Sequence, residues 1–181
     1  MVSDITERKR TEIALKHQAL HDPLTGLANR AMFDQQFAHI LMTAQSGGSE
    51  VGLLVIDLDH FKEVNDNFGH PIGDELLIET AGRIEATKRH GDLVARLGGD
   101  EFALVMAGEG IERAAAALAQ RLLDGLAKPF RAGSVTLLPA ASIGMALMSK
   151  DSVTTEALML RADQALYAAK AKGRGTWMAC A

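Results

Sequence analysis

The chain carries a single cysteine, Cys180, in 181 residues, so no internal disulfide can form and a reducing compartment is the natural setting. That favours the cytoplasm. No run approaches the eighteen or more apolar residues of a membrane span, and the N-terminus lacks the apolar core of a signal peptide. Direct membrane contact is not expected. An excess of positive charge is missing as well: 19 Lys and Arg stand against 23 Asp and Glu, a net charge of -4. This argues against a general affinity for nucleic-acid backbones. It leaves a single nucleotide admissible, because such a site needs only local cations and a metal. What is present, 48% hydrophobic and 23% charged residues, is ordinary for a globular protein, and the length suits one domain with a real core.

The stretch at residues 93–106, LVARLGGDEFALVM, organises the rest. Two apolar runs flank Gly98-Gly99 with two carboxylates beside them, the pattern of a β-hairpin with its charge at the tip. The two glycines tolerate positive φ and remove Cβ bulk, so a phosphate or another backbone can come close. Asp100 and Glu101 offer hard oxygen ligands next to that space, which suits Mg²⁺ or Mn²⁺ bound together with substrate phosphates. Gly-Gly-Asp is also a common turn with no chemistry. Residues 51–56 form a continuous apolar run, short enough to be a strand buried on both faces, and Asp57 and Asp59 follow it directly. Ligand sites of α/β folds lie at such strand ends, so Asp57 and Asp100 form the candidate metal pair. Capping a helix near His60 is the plainer role open to Asp57.

Five spaced motifs, covering residue 21 to the end, make this sequence resemble the GGDEF domain family of diguanylate cyclases. Residues 98–102 spell GGDEF itself, and residues 22–30 match DxLTGLxNR with Asp22, Leu24, Thr25, Asn29 and Arg30 in place. The latter segment reads physically as a linker and turn, with Asn29 capping a helix in which Phe33, Phe37 and Ile40 recur at helical spacing. The resemblance implies that it couples a linker helix to the catalytic domain. Residues 57–74 match DxDxFKxxND…GHxxGD. By that resemblance Asp57, the Leu58 carbonyl and Asp100 hold metal, Glu101 adds metal coordination or acts as base, Gly98 and Gly99 belong to the catalytic turn, and the loop of Asp59, His60, Phe61 and Lys62 cradles phosphates with its amides. Asn65 and Asp74 are implied to read guanine. A carboxylate accepts from guanine N1–H and N2–H₂ together while an Asn side chain both donates and accepts, so Asp74 argues for GTP over ATP.

Two further matches concern charge. Arg89 and Asp92 form an RxxD ending six residues before Gly98, the position of the family's inhibitory product site. Its fork and carboxylate suit a phosphate and a guanine edge. Residues 163–174 match DxALYxAKxxGR, which implies that Lys170 and Arg174 hold the β- and γ-phosphates. Gly175 departs from the Asn usual there. Residues 141–144 resemble the family's ASIG strand, whose implied role is packing.

Helices are expected over residues 2–20, after His60, near Asp74, over 109–126 and over 155–172, and strand-like runs at 134–138, 140–147 and 176–181. The element order predicts an α/β (α+β) fold with a mixed, mostly antiparallel central sheet surrounded by helices, sharpened by the resemblance to the palm-like nucleotidyl-cyclase fold. Residues 1–20 are expected to be a linker or signalling helix and 21–181 the catalytic domain. The sequence near residue 4, DITERKR, resembles the join between a PAS sensor and its output domain, implying an upstream sensor. The implied activity is condensation of two GTP into cyclic di-GMP and two pyrophosphates, with two Mg²⁺ or Mn²⁺ per active site, at a site shared by a homodimer and inhibited by product. The competing readings are a catalytically silent cyclic di-GMP receptor and a plain interaction domain.

Overall fold

The computed structural model describes residues 19–148 and 154–180. The expected helix at residues 1–20 therefore lies almost entirely outside the described residues. The described elements run in the order α1 (Arg30–Gly47), β1 (Glu50–Leu58), α2 (Phe61–Phe68), α3 (His70–Thr87), β2 (Leu93–Gly98) and β3 (Glu101–Gly108). They continue with α4 (Ile111–Leu126), β4 (Phe130–Ala132), β5 (Val135–Leu137), β6 (Ala141–Leu147), α5 (Thr155–Ala171) and β7 (Trp177–Ala179).

The main sheet has the order β2-β3-β1-β6-β7, with β1 at its centre. Its pairings are antiparallel except for β6 with β7, which are parallel. Without β7 this is the βαββαβ arrangement of ferredoxin-like and palm domains. β1 is buried from its second residue onward, as its unbroken apolar run requires.

Alternation along the strands sorts the core into two layers. Leu54, Ile56 and Leu58 of β1 pack with Leu76 and Ile84 of α3 and with Leu118 and Leu122 of α4. Leu53 and Val55 pack with Phe33 and Phe37 of α1 and with Leu158 and Leu166 of α5. Fully burying each such side chain contributes roughly 1.5–3 kcal/mol. Asp57 has the parity of Val55, and Glu101 that of Ala103, so both carboxylates project on the α1/α5 side.

Local sequence explains the joints. Asn29 caps α1 by accepting from the Met32 amide at 3.0 Å, as its place before the apolar spacing predicts. Gly144 lets α5 settle onto β6: a Cβ there would collide with the Ala162 carbonyl and the Leu166 backbone. Arg83 of α3 donates to the carbonyls of Gly125, Leu126, Lys128 and Pro129, closing the exposed end of α4.

The segment between α4 and β6 forms a sheet of its own. The strand-like run at 134–138 does not join the main sheet; it contributes β5, which pairs with β4 in a separate two-stranded ribbon. β4 was not anticipated at all, because three residues are too few to show a period. Pro139 lies between β5 and β6.

Candidate active site

The site is built at the carboxyl end of β1. Asp57 stands opposite Glu101 on β3 and opposite Ser142 on β6, so the central strand delivers it into the middle of the arrangement. The next amide, Leu58 N–H, donates to the Asp100 carbonyl at 3.3 Å and ties the strand end to the signature turn. That turn joins β2 to β3 with Gly98 at φ 142° and Gly99 at φ 53°, backbone angles that a side-chain-bearing residue rarely adopts. Arg96 holds it closed. Its guanidinium donates to the Gly99 carbonyl at 3.0 and 2.8 Å and to both oxygens of Asp22 at 3.0 and 3.1 Å. Asp22 also accepts from the Thr25 amide and hydroxyl, so the 22–30 turn and the GGDEF turn are one hydrogen-bonded unit.

Charge in the site is partly balanced. Lys170 on α5 sets its ammonium 2.7 Å from Asp57. Burial pushes the Asp57 carboxyl up, the Lys170 hydrogen bond and charge pull it down, and the neighbouring Asp100 and Asp59 push it further up; the balance lies above the ordinary value. Glu101 is likewise raised, by burial first and then by Asp57, Asp163 and Asp100, against an opposing pull from Arg30. An acidic centre short of positive charge suits a cation. Among the described residues no three His, Cys, Asp or Glu side chains converge into a closed cage. Asp57, Asp100 and Glu101 are the acidic residues gathered at this strand end.

Asp59 has a different job from its sequence reading. Its amide donates to the Ala140 carbonyl at 2.9 Å and is therefore not free to cradle a phosphate. Its carboxylate accepts from Ser142 Oγ at 2.8 and 3.1 Å and from the Gly175 amide at 3.0 Å, with Arg174 Nε at 3.9 Å. Ser142, expected only to pack, thus anchors Asp59, and Asp59 anchors the turn that carries Arg174. Arg174 itself has φ 65° and Gly175 φ 59°. Gly and Asn share tolerance of that conformation, so the departure from the usual Asn leaves the turn intact. At the other end of the loop, His60 has φ 61° and its Nδ1 lies 2.6 Å from Glu63 Oε1. Phe61 and Lys62 open α2, where the first amides have no acceptor within the helix.

Asn65 and Asp74 lie on α2 and α3, and Gly73 brings these helices together: a Cβ there would strike Asn65 Oδ1 and crowd the Phe61 ring. Asn65 therefore rests against the residue preceding Asp74, which is exposed. Arg89 and Asp92 sit elsewhere. Asp92 Oδ2 accepts from the Arg89 amide at 2.9 Å, the guanidinium lies 3.6 Å from the carboxylate, and the pair lines a pocket of about 290 Å³ with Ile40, His90, Gly91, Val105 and Ala107. Ala107 pairs with Val51, six residues before Asp57 on β1, which puts this pocket roughly 20 Å from the carboxylates at the strand rise.

Sequence reasoning missed Arg96, Ser142, Gly73 and Asp163 as members of the site. Gly73, Ser142 and Asp163 lay inside matched motifs without a role of their own, and Arg96 showed as a charged residue inside an apolar strand run.

The sheet order, with acidic residues opposed at the end of its central strand, makes this a palm-like α/β domain. The sequence matches the family described as diguanylate cyclase, GGDEF domain, over residues 19–176, and the chain belongs to that GGDEF family. It is 43% identical over 170 residues to the bifunctional diguanylate cyclase/cyclic di-GMP phosphodiesterase MucR of Pseudomonas aeruginosa, covering 93% of this chain and 24% of MucR. It is similar in structure to the isolated GGDEF domain of Pseudomonas aeruginosa TpbB, with TM-score 0.85 and 38% identity over 89% of this chain and 94% of that one. The GGDEF domain of Caulobacter crescentus DgcB, solved in complex with c-di-GMP, has TM-score 0.84 and 32% identity, covering 90% and 96%. The chain spans only 22% to 38% of the first curated relatives it matches. No helix among the described residues is long and apolar enough to cross a membrane.

Proposed function

We propose that this domain is a diguanylate cyclase, condensing two GTP into cyclic di-GMP and two pyrophosphates. The observation that carries this is the direct opposition of Asp57 and Glu101 beside an intact GGDEF turn, with Lys170 already seated on Asp57. In each bond-forming step a 3′-hydroxyl oxygen of one GTP bonds to the α-phosphorus of the other. The bond to the β-phosphate bridge breaks, pyrophosphate leaves with the electron pair, and the hydroxyl proton passes to a nearby base, a role Glu101 takes only where it is not itself holding metal.

Two divalent cations at Asp57, the Leu58 carbonyl, Asp100 and Glu101 supply Lewis-acid stabilisation of charge on the α-phosphate when bound. Lys170 and Arg174 hold the β- and γ-phosphates from the α5 side, and the first amides of α2 face the same phosphates. Asn65 and Asp74 select guanine. One domain holds one GTP, so the active unit is a two-fold homodimer with the two half-sites facing. Product binds at Arg89 and Asp92 and inhibits from the far end of the hairpin strands. The cytoplasmic placement rests on the single cysteine, and the upstream PAS-like sensor acting through residues 1–20 rests on the sequence resemblance.

The test is incubation with GTP and Mg²⁺, in parallel with Asp100→Ala, following pyrophosphate release and identifying the nucleotide formed. Cyclic di-GMP from the wild type and none from the variant supports the cyclase. The second reading, a silent receptor, is favoured by the preformed Arg89–Asp92 pair; it wins if cyclic di-GMP binds while GTP is neither bound nor consumed.

A further inference from the structure

Arg30 is unassigned by the proposed mechanism, yet it stands against the signature turn. It opens α1 on the same side of the sheet as Asp57 and Glu101, and its Nε donates to the Leu97 carbonyl at 3.2 Å, one residue before Gly98. That bond fixes the side chain at the rim of the site. Its two terminal nitrogens have no hydrogen-bond or ion-pair partner among the described residues, and the residue is exposed. The Arg30 charge pulls down the carboxyls of both Glu101 and Asp163, so the guanidinium lies within electrostatic reach of each. Lys170 and Arg174 approach from the opposite side, at Asp57 and Asp59. The carboxylate pair is thus flanked by a cation at each end, and the one beside Glu101 keeps an open fork.

We propose that Arg30 is a phosphate-contacting catalytic residue, whose free guanidinium edge takes the non-bridging oxygens of the α-phosphate undergoing substitution. A planar fork with its stem pinned to a strand carbonyl is preorganised for two phosphate oxygens, and a lysine is not. Placement beside Glu101 and the bulk-free Gly98-Gly99 turn, rather than on the α5 side, assigns Arg30 to the reacting phosphate and leaves the pyrophosphate to Lys170 and Arg174. The assignment rests on the cyclase reading.

The experiment compares wild type, Arg30→Lys and Arg30→Ala for cyclic di-GMP formation at saturating GTP, for affinity toward the uncleavable α,β-methylene analogue of GTP, and for melting temperature. The expected result is a loss of about 100-fold in rate for Arg30→Ala, the scale of one removed transition-state donor. Analogue affinity falls far less than the rate, Arg30→Lys recovers only a small part, and added methylguanidinium restores rate to Arg30→Ala alone. Wild-type rate in Arg30→Ala overturns the assignment. So does a loss of rate matched by equal losses of analogue binding and melting temperature without recovery by methylguanidinium, which is what damage to the strand end gives. A wild type that forms no cyclic di-GMP overturns the cyclase reading itself, in the arm measured before any variant.

Discussion

Asp57 and Glu101 face each other directly across adjacent antiparallel strands, on the side of the sheet covered by α1 and α5. Both carboxyls are raised, burial being the largest cause for each. A raised acid is destabilising in its ionised form, so the penalty is present at neutral pH and disappears as pH falls below the unfolded value and both states bind the proton. Glu101→Gln is therefore expected to raise the melting temperature at pH 7 without metal, with the gain fading towards pH 4. Mg²⁺ should stabilise the wild type more than the variant, and chelation by EDTA should reverse this. Thermal denaturation across pH and Mg²⁺ concentration checks it; equal Mg²⁺ shifts in both proteins would sink the role of Glu101 in metal binding.

Asp22 has the opposite sign. Burial pulls its pKa up, but hydrogen bonds from the Thr25 hydroxyl and amide and from Arg96 outweigh it and hold the carboxyl below the ordinary 3.8. Its contribution to stability is present above the unfolded value and lost as pH falls through the folded one. Asp22→Asn should cost on the order of 1–3 kcal/mol at pH 7 by weakening the charge-assisted bonds to Arg96. The cost should shrink below pH 3.8, as urea titrations at several pH values would report.

Gly73→Ala places a methyl group against Asn65 Oδ1 and the Phe61 ring. Asn65 is the more movable neighbour, so the fold should survive while guanine recognition is lost. GTP affinity is expected to fall about tenfold or more, the scale of one misplaced hydrogen-bonding group of 1.4 kcal/mol or above. Calorimetric GTP titration with a parallel melting curve decides between lost recognition and lost fold.

Arg89→Ala should relieve product inhibition without lowering the initial rate, because the pocket it lines is about 20 Å from Asp57 along β1. Progress curves with added cyclic di-GMP check this. A fall in initial rate equal to the loss of inhibition would place Arg89 in the catalytic machinery instead.

Local pattern in the chain determined a good deal. The apolar run before Asp57 made β1 a buried central strand, the Gly-Gly turn between two apolar runs made the β2-β3 hairpin, and Asn29 marked the start of α1. These are short-range effects of periodicity, φ tolerance and capping, which a sequence displays directly. Tertiary structure decided what each polar residue does. Asp59 looked like a phosphate cradle and became the anchor for Ser142 and Gly175, 83 and 116 residues away. Arg96 reaches Asp22 across 74 residues to close the GGDEF turn, and Gly73 sets the approach of Asn65 to Asp74 only because α2 and α3 pack there. Hydrogen bonds and charge pairs act over a few ångströms in space, and the sheet register, not spacing along the chain, brings their partners within that range.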